Sequence, residues 1–193
     1  MAPPPQKGQS QPRKPKREQL ILELAEPAEL ARLYEEGVAL AWWPHDALDS
    51  EVLAREPFTW TAEVNPSGEQ LAALEPLVES EAVLERARML VDLHCSLFEA
   101  ELVGVRVALT DKPLCPSFHV NKLHCRLITT LAGAGTQWMT GPLYAANEVT
   151  AVQQLPPGAV GWFKGLAWPG VQPVAHRSPP GDARRLVLSI DLL

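Results

Sequence analysis

Leu102-Val-Gly-Val-Arg-Val-Ala-Leu-Thr110 is the stretch at which the chain changes character. Valine recurs at 103, 105 and 107, the two-residue period of a strand and not the 3.6-residue period of a helix. Downstream, short β-like runs follow at 117–120, 126–131, 151–155, 160–164, 174–176 and 185–190. Turn residues separate them: Gly133-Ala-Gly135, Pro156-Pro-Gly158, Trp168-Pro-Gly170 and Pro179-Pro-Gly181. Strands at this spacing predict a sandwich, jelly roll or barrel.

Upstream the periodicity is helical. ELARLYEE at 29–36 reads as an amphipathic helix stopped by Gly37, VALAWW at 38–43 as a short strand, and 44–49 as a turn that starts a new helix. Residues 67–77 and 80–100 carry helical patterning. In the second, Val83, Leu84, Ala87, Leu90, Val91 and Leu97 form one stripe. His94 lies on that stripe with Cys95 beside it, and both read as core. The expected fold is α+β, with N-terminal helices packed on one face of a C-terminal β unit. Residues 19–193 make a single domain, 19–100 mainly helical and 101–193 barrel-like, behind a disordered basic Pro-rich tail at 1–18.

A chain of 193 residues suits one domain with one core. Three cysteines without a secretory leader argue against a disulfide framework, so reduced thiols in the cytoplasm are expected. Apolar runs break within about ten residues, where a membrane span needs about twenty, so no membrane is expected. Net charge is −6, but Lys7, Arg13, Lys14, Lys16 and Arg17 crowd the tail beside the single acid Glu18, which leaves about −10 on the body. An acidic body disfavours nucleic acid, which needs a basic face. The expected partner is a small molecule.

The candidate chemistry lies with five histidines. His45 reads as a surface turn residue and His124 as a loop residue. In Cys115-Pro-Ser-Phe-His119-Val-Asn121, an extended backbone turns His119 and Asn121 to one face, Cα atoms about 6.6 Å apart. That spacing lets both reach one metal ion, with a further ligand from a distant strand, and His176 is the only later histidine after His124. Arg185 follows at the head of RLVLSIDL, where a guanidinium suits a carboxylate better than an ammonium does. Arg184 points the other way, and a one-residue slip would exchange the two. Cys115 is an alternative ligand, although four strand residues span about 13 Å and a bulge at Pro116 is needed. Cys125 reads as a buried thiol. With no C-x-x-C pair, a structural zinc site has little support. Arg126 shares a face with Ile128 and Thr130, and reads either as a pocket anion contact or as half of a salt bridge. Arg177 and Ser178 flank His176 and either orient its ring or face solvent. Trp138, Trp162 and Trp168 either wall a pocket or pack the core.

Two resemblances follow from these residues. The order His119-x-Asn121, His176, Arg185 over about residues 100–193 resembles the Fe(II)/2-oxoglutarate dioxygenases. The resemblance implies a double-stranded β-helix, cupin-like, with Fe(II) on His119, Asn121 and His176 and the far carboxylate of 2-oxoglutarate on Arg185. It also marks Asn121 as a departure, since that family's site has a carboxylate there. The phrases CPSFHVN, GAGTQW, FKGLAWPG, and AHRSPP followed by RRLVLSIDL resemble domain of unknown function 1826, an uncharacterised bacterial family. That resemblance implies His-Val-Asp as the usual reading at 119–121 and an association with zinc-responsive settings. Three readings follow: an oxygenase with an Asn-substituted triad and no assigned catalytic residue beyond the metal site; a non-enzymatic metal-binding protein serving zinc homeostasis; and a metal-free, cupin-like module that binds a carboxylate.

Overall fold

The computed structural model describes residues 19–141 and 152–193. The basic tail therefore lies outside the described residues, as does Ala151. The N-terminal half corrects the expectation of a helical layer. It contributes three strands, β1 (Leu20–Glu23), β2 (Val38–Trp43) and β3 (Phe58–Val64). The helix expected at 29–36 is a 3-10 segment, Pro27–Tyr34. The helix expected at 67–77 is a 3-10 segment, Glu69–Leu74, running into the one-turn α1 (Glu75–Val78). Only α2 (Glu81–Phe98) is a long helix. Phe58-Thr-Trp-Thr-Ala-Glu-Val64 alternates larger apolar and polar groups, and pairing along all of β4 decides in favour of a strand.

The C-terminal strands are β4 (Val103–Thr110), β5 (Cys125–Ala132), β6 (Gln137–Met139), β7 (Gln153–Gln154), β8 (Val160–Lys164), β9 (Ala175–Arg177) and β10 (Arg185–Leu192). They form two sheets of a jelly roll. The larger has the order β1-β2-β8-β5-β10-β4-β3, and the smaller β7-β6-β9. All pairs are antiparallel except β1 with β2. The strand expected at 117–120 shrinks to one bridge, His119 to His176.

Strand alternation decides what each face carries. On β10, Leu186, Leu188 and Ile190 turn outward and join Val83, Leu84, Ala87, Leu90 and Val91 of α2 in the main core. Each such side chain contributes about 1.5–3 kcal/mol when fully buried. Arg185, Val187 and Ser189 turn the other way and line a cavity, as do Arg126 and Ile128 of β5. A smaller apolar cluster, including Leu40, Ile128, Leu155 and Phe163, closes one end of that inner layer. Helix α2 thus buries the apolar side of the large sheet and leaves the polar side to the site. Among the described residues no helix is long and apolar enough to cross a membrane.

Candidate functional site

The inner cavity has a volume of about 60 Å³, and His119, His176 and Arg185 all line it. His119 sits in the loop before β5 and His176 in the middle of β9. Their backbones exchange both hydrogen bonds, His119 N to His176 O at 3.1 Å and His176 N to His119 O at 2.9 Å. This pairing brings the rings together at 4.5 Å between centroids. His119 Nδ1 lies 3.1 Å from the Ser117 carbonyl. With Nδ1 as the donor, Nε2 keeps its lone pair.

His176 is 3% exposed, and among the described residues neither ring nitrogen makes a well-formed hydrogen bond, the Val174 backbone giving only a weak contact. Burial, the adjacent His119 and then Arg126 push its pKa down to about 3, so its imidazole is neutral. Two imidazoles in contact, one of them buried and neutral, are a donor set that a divalent transition metal fits. Among the described residues no group of three His, Cys, Asp or Glu side chains could hold an ion. Cys115 lines the same cavity but does not complete such a set.

Asn121 is buried close by, yet it is absent from the cavity lining. Its Oδ1 accepts from Arg126 Nη1 at 3.1 Å, and its Nδ2 is buried without a partner. A guanidinium has no acceptor, so this orientation of the amide follows from its neighbour. Arg126 in turn grips Asp191 with two bonds, 2.5 Å from Nε and 2.6 Å from Nη2. The salt-bridge reading of Arg126 therefore holds in the structure: its side chain lines the cavity with its charge already matched, which argues against a role as cosubstrate anchor.

Arg185 is different. It is 3% exposed and has no acidic partner among the described residues. Its Nε donates to the Ala134 carbonyl at 2.6 Å, and Nη2 donates to the hydroxyls of Thr130 at 2.9 Å and Thr136 at 3.5 Å. Burial pulls its pKa down to about 10. The Ala134 acceptor depends on two glycines. Gly133 has φ +89°, and a Cβ there would sit 2.4 Å from the Arg184 carbonyl oxygen. A Cβ on Gly135 would sit 1.9 Å from the Leu155 carbonyl oxygen. Arg184 faces outward and donates to the carbonyls of Leu53 and Arg55, so the register places Arg185 inside.

Arg177 and Ser178 do not hold the His176 ring. Arg177 donates to Gln137 and lies over the Phe118 ring at 4.3 Å. Ser178 exchanges bonds with the Cys115 backbone, tying the His119 loop to β9. Of the tryptophans, Trp162 is core, and Trp168 lies under the Lys164 ammonium at 4.2 Å. Cys95 and Cys125 are buried free thiols, and His94 is core. Arg106, on the cavity wall, escaped notice in the sequence; its signal was a lone charge inside the apolar alternation of β4.

The sequence profile of the family described as Protein of unknown function (DUF1826) matches residues 25–191. The chain belongs to this family. No curated protein matches the DUF1826 chain in sequence. Solved structures that share its fold include dioxygenase for auxin oxidation 1 from Arabidopsis thaliana, in its binary complex with 2-oxoglutarate. That structure is 9% identical, covers 91% of this chain and 92% of its own, and has a TM-score of 0.54. The rice dioxygenase for auxin oxidation is 14% identical over 91% and 83%, with a TM-score of 0.53. A full-length Neurospora crassa protein solved in complex with alpha-KG is 9% identical over 93% and 86%, at 0.50. At these identities the likeness establishes the fold alone.

Proposed function

We propose that this DUF1826 protein is an Fe(II)- and 2-oxoglutarate-dependent type of oxygenase, with His119 and His176 as metal ligands and Arg185 as the cosubstrate anchor. One observation carries the reading. A buried guanidinium with no acid beside it lines the same small cavity as two contacting imidazoles. A dicarboxylate that neutralises the first while approaching the second suits that arrangement. The fold shared with 2-oxoglutarate- and alpha-KG-bound proteins supports it.

Iron(II) bound there would supply oxygen activation coupled to oxidation of 2-oxoglutarate. The chain's own part is to position and exclude. The Ser117 carbonyl sets the His119 tautomer. Burial keeps His176 neutral and available. Thr130, Thr136 and the Ala134 carbonyl hold the Arg185 fork in place. Asn121 supplies no negative charge, and Arg126 occupies its oxygen, so the third position falls to water or substrate. A second reading, a metal-free carboxylate-binding module, is favoured by the lack of a third His, Cys, Asp or Glu ligand among the described residues.

The test is elemental analysis of anaerobically purified protein beside His119→Ala/His176→Ala, followed by 2-oxoglutarate turnover. Stoichiometric iron and turnover, both lost in the variant, are expected. Zinc without oxygen chemistry would move the assignment to metal binding alone. No metal, with carboxylate binding intact under chelator, would leave the second reading. Turnover that survives both substitutions would refute the proposal.

A further inference from the structure

The charge lining the inner cavity is out of balance. Among the described residues four guanidinium groups line it, those of Arg106, Arg126, Arg177 and Arg185, and no aspartate or glutamate does. Asp191 matches Arg126. The cosubstrate matches Arg185 under the proposed function. Arg177 has a neutral partner, Gln137, and an aromatic one, Phe118. The Arg106 guanidinium makes neither a hydrogen bond nor an ion pair among the described residues.

Strand register explains why Arg106 is left over. It stands opposite Thr61 on β3 and Ser189 on β10, so both cross-strand neighbours on its face are hydroxyls. A solvated strand arginine usually gains from an acid in such a position. The nearest acids in the row beyond are Glu63 and Asp191, which lie opposite Gly104. Glu63 forms no ion pair with Arg106, and Asp191 is held by Arg126. The place is also a junction. A second groove of about 430 Å³ runs over the exposed inner side of β3 and β4 and shares Arg106, Arg126 and Ser189 with the inner cavity. Glu63 and Asp191 also line it, Asp191 held by Arg126 and Glu63 one row beyond Arg106, so the unmatched guanidinium lies at the end that meets the inner cavity. A molecule lying in that groove would reach toward His119 and His176 with Arg106 beside it.

We propose that this groove is the primary-substrate site, and that it takes an organic molecule carrying an oxyanion, a carboxylate or phosphate, gripped by the Arg106 guanidinium. In naming a substrate class for the same pocket, this inference rests on the proposed function. The planar fork and permanent charge of arginine suit both anions, while the hydroxyls of Thr61 and Ser189 leave room for hydrogen bonds without competing for the charge.

The experiment is a side-chain 15N NMR titration of the full chain, following arginine Nε–Hε signals, with inorganic phosphate and with acetate as separate probes. A saturable shift of the Arg106 signal is expected, weakening as salt rises. Arg106→Gln should lower affinity for the effective anion about 10- to 100-fold, the loss typical of a charged hydrogen-bond pair. Arg106 is exposed, so the melting temperature should stay close to that of the wild type. Whichever probe saturates first names the group. In parallel, 2-oxoglutarate is titrated against the Arg185 signal in the wild type and in Arg106→Gln. If Arg106 responds and Arg185 does not, the oxyanion site stands and the cosubstrate assignment falls. If Arg185 responds while neither phosphate nor acetate shifts Arg106 saturably, or if Arg106→Gln binds them as the wild type does, this inference is overturned and the cosubstrate assignment survives.

Discussion

Replacing Arg185 by methionine separates the anion anchor from the fold that holds it. The side chain is 3% exposed and its charge has no acidic partner among the described residues. Burial pulls its pKa down to about 10, well below that of a free guanidinium. At about 1.4 kcal/mol per pH unit, holding that charge costs the ligand-free protein about 3 kcal/mol. Methionine has similar length and no charge, so that cost disappears. The Ala134 carbonyl and the Thr130 hydroxyl lose their donor, which costs about 1–3 kcal/mol in return. The ligand-free stability of Arg185→Met should therefore lie within about 2 kcal/mol of the wild type. Binding should respond very differently. Removing one partner of a buried charge pair costs about 2–5 kcal/mol, so the Kd for 2-oxoglutarate should rise about 30- to 5,000-fold. Thermal unfolding under anaerobic conditions with Fe(II) reads both effects. At a hundred times the wild-type Kd, 2-oxoglutarate stabilises by about 2.7 kcal/mol. In a domain of this size that is about 5–11 °C in Tm. The wild type should show this rise, and Arg185→Met at most about 0.9 kcal/mol, or about 2–3 °C, falling to nothing at the weak end of the range. An equal rise in both proteins would refute the assignment of Arg185, and a ligand-free variant that fails to fold would refute the reading of its charge as a net cost.

Asn121→Asp should tighten metal binding at least about tenfold in chelator competition, because the amide nitrogen that has no partner becomes a second, charged oxygen that Arg126 leaves free; unchanged affinity would show that Arg126 keeps residue 121 from the metal in both forms. His94→Leu should flatten the acid limb of stability. The buried His94 imidazole has its pKa lowered to about 4, so the unfolded chain takes up a proton first, and its stabilising contribution, intact above pH 6.5, is lost as pH falls to about 4. The loss should be about 3 kcal/mol, seen as a smaller drop in urea midpoint for the variant over that window. Gly135→Ala should weaken 2-oxoglutarate binding, because its Cβ would fall 1.9 Å from the Leu155 carbonyl oxygen and force the Ala134 acceptor of Arg185 to move; calorimetry showing wild-type affinity would contradict this coupling.

The parts of the fold legible in sequence were those where side-chain period and environment agree. RLVLSIDL alternates because one side of β10 meets α2 and the other meets the site, and the register placed Arg185 inside. His119 and His176 were paired from spacing and resemblance, and the bridge between their backbones sets their rings in contact. In the N-terminal half VALAWW was legible as β2 and 80–100 as α2, but β1 and β3 were missed because they are stabilised by long-range partners. β1 pairs with β2 in parallel and β3 lies along β4, contacts that no local window contains. ELARLYEE has helical periodicity but winds as 3-10, beginning at Pro27. Arg126 was ambiguous because its partner, Asp191, lies across the sheet on β10. Arg106 carried one local sign, a charge inside the apolar alternation of β4, but what distinguishes it is the lack of an acid opposite, which depends on the register of β3 and β10.

The bridge between His119 and His176 joins a loop that precedes β5 to a strand that precedes β10. Loop closure over so long a stretch of chain is a late step in folding, since its entropy cost comes before any compensating contact. The two imidazoles therefore meet only after β5, β6, β8 and β9 have found their places. A nascent or partly unfolded chain presents separate histidines with little hold on a metal, and the finished fold presents a pair. Under the proposed function, metal capture would then favour completed molecules over unfinished ones.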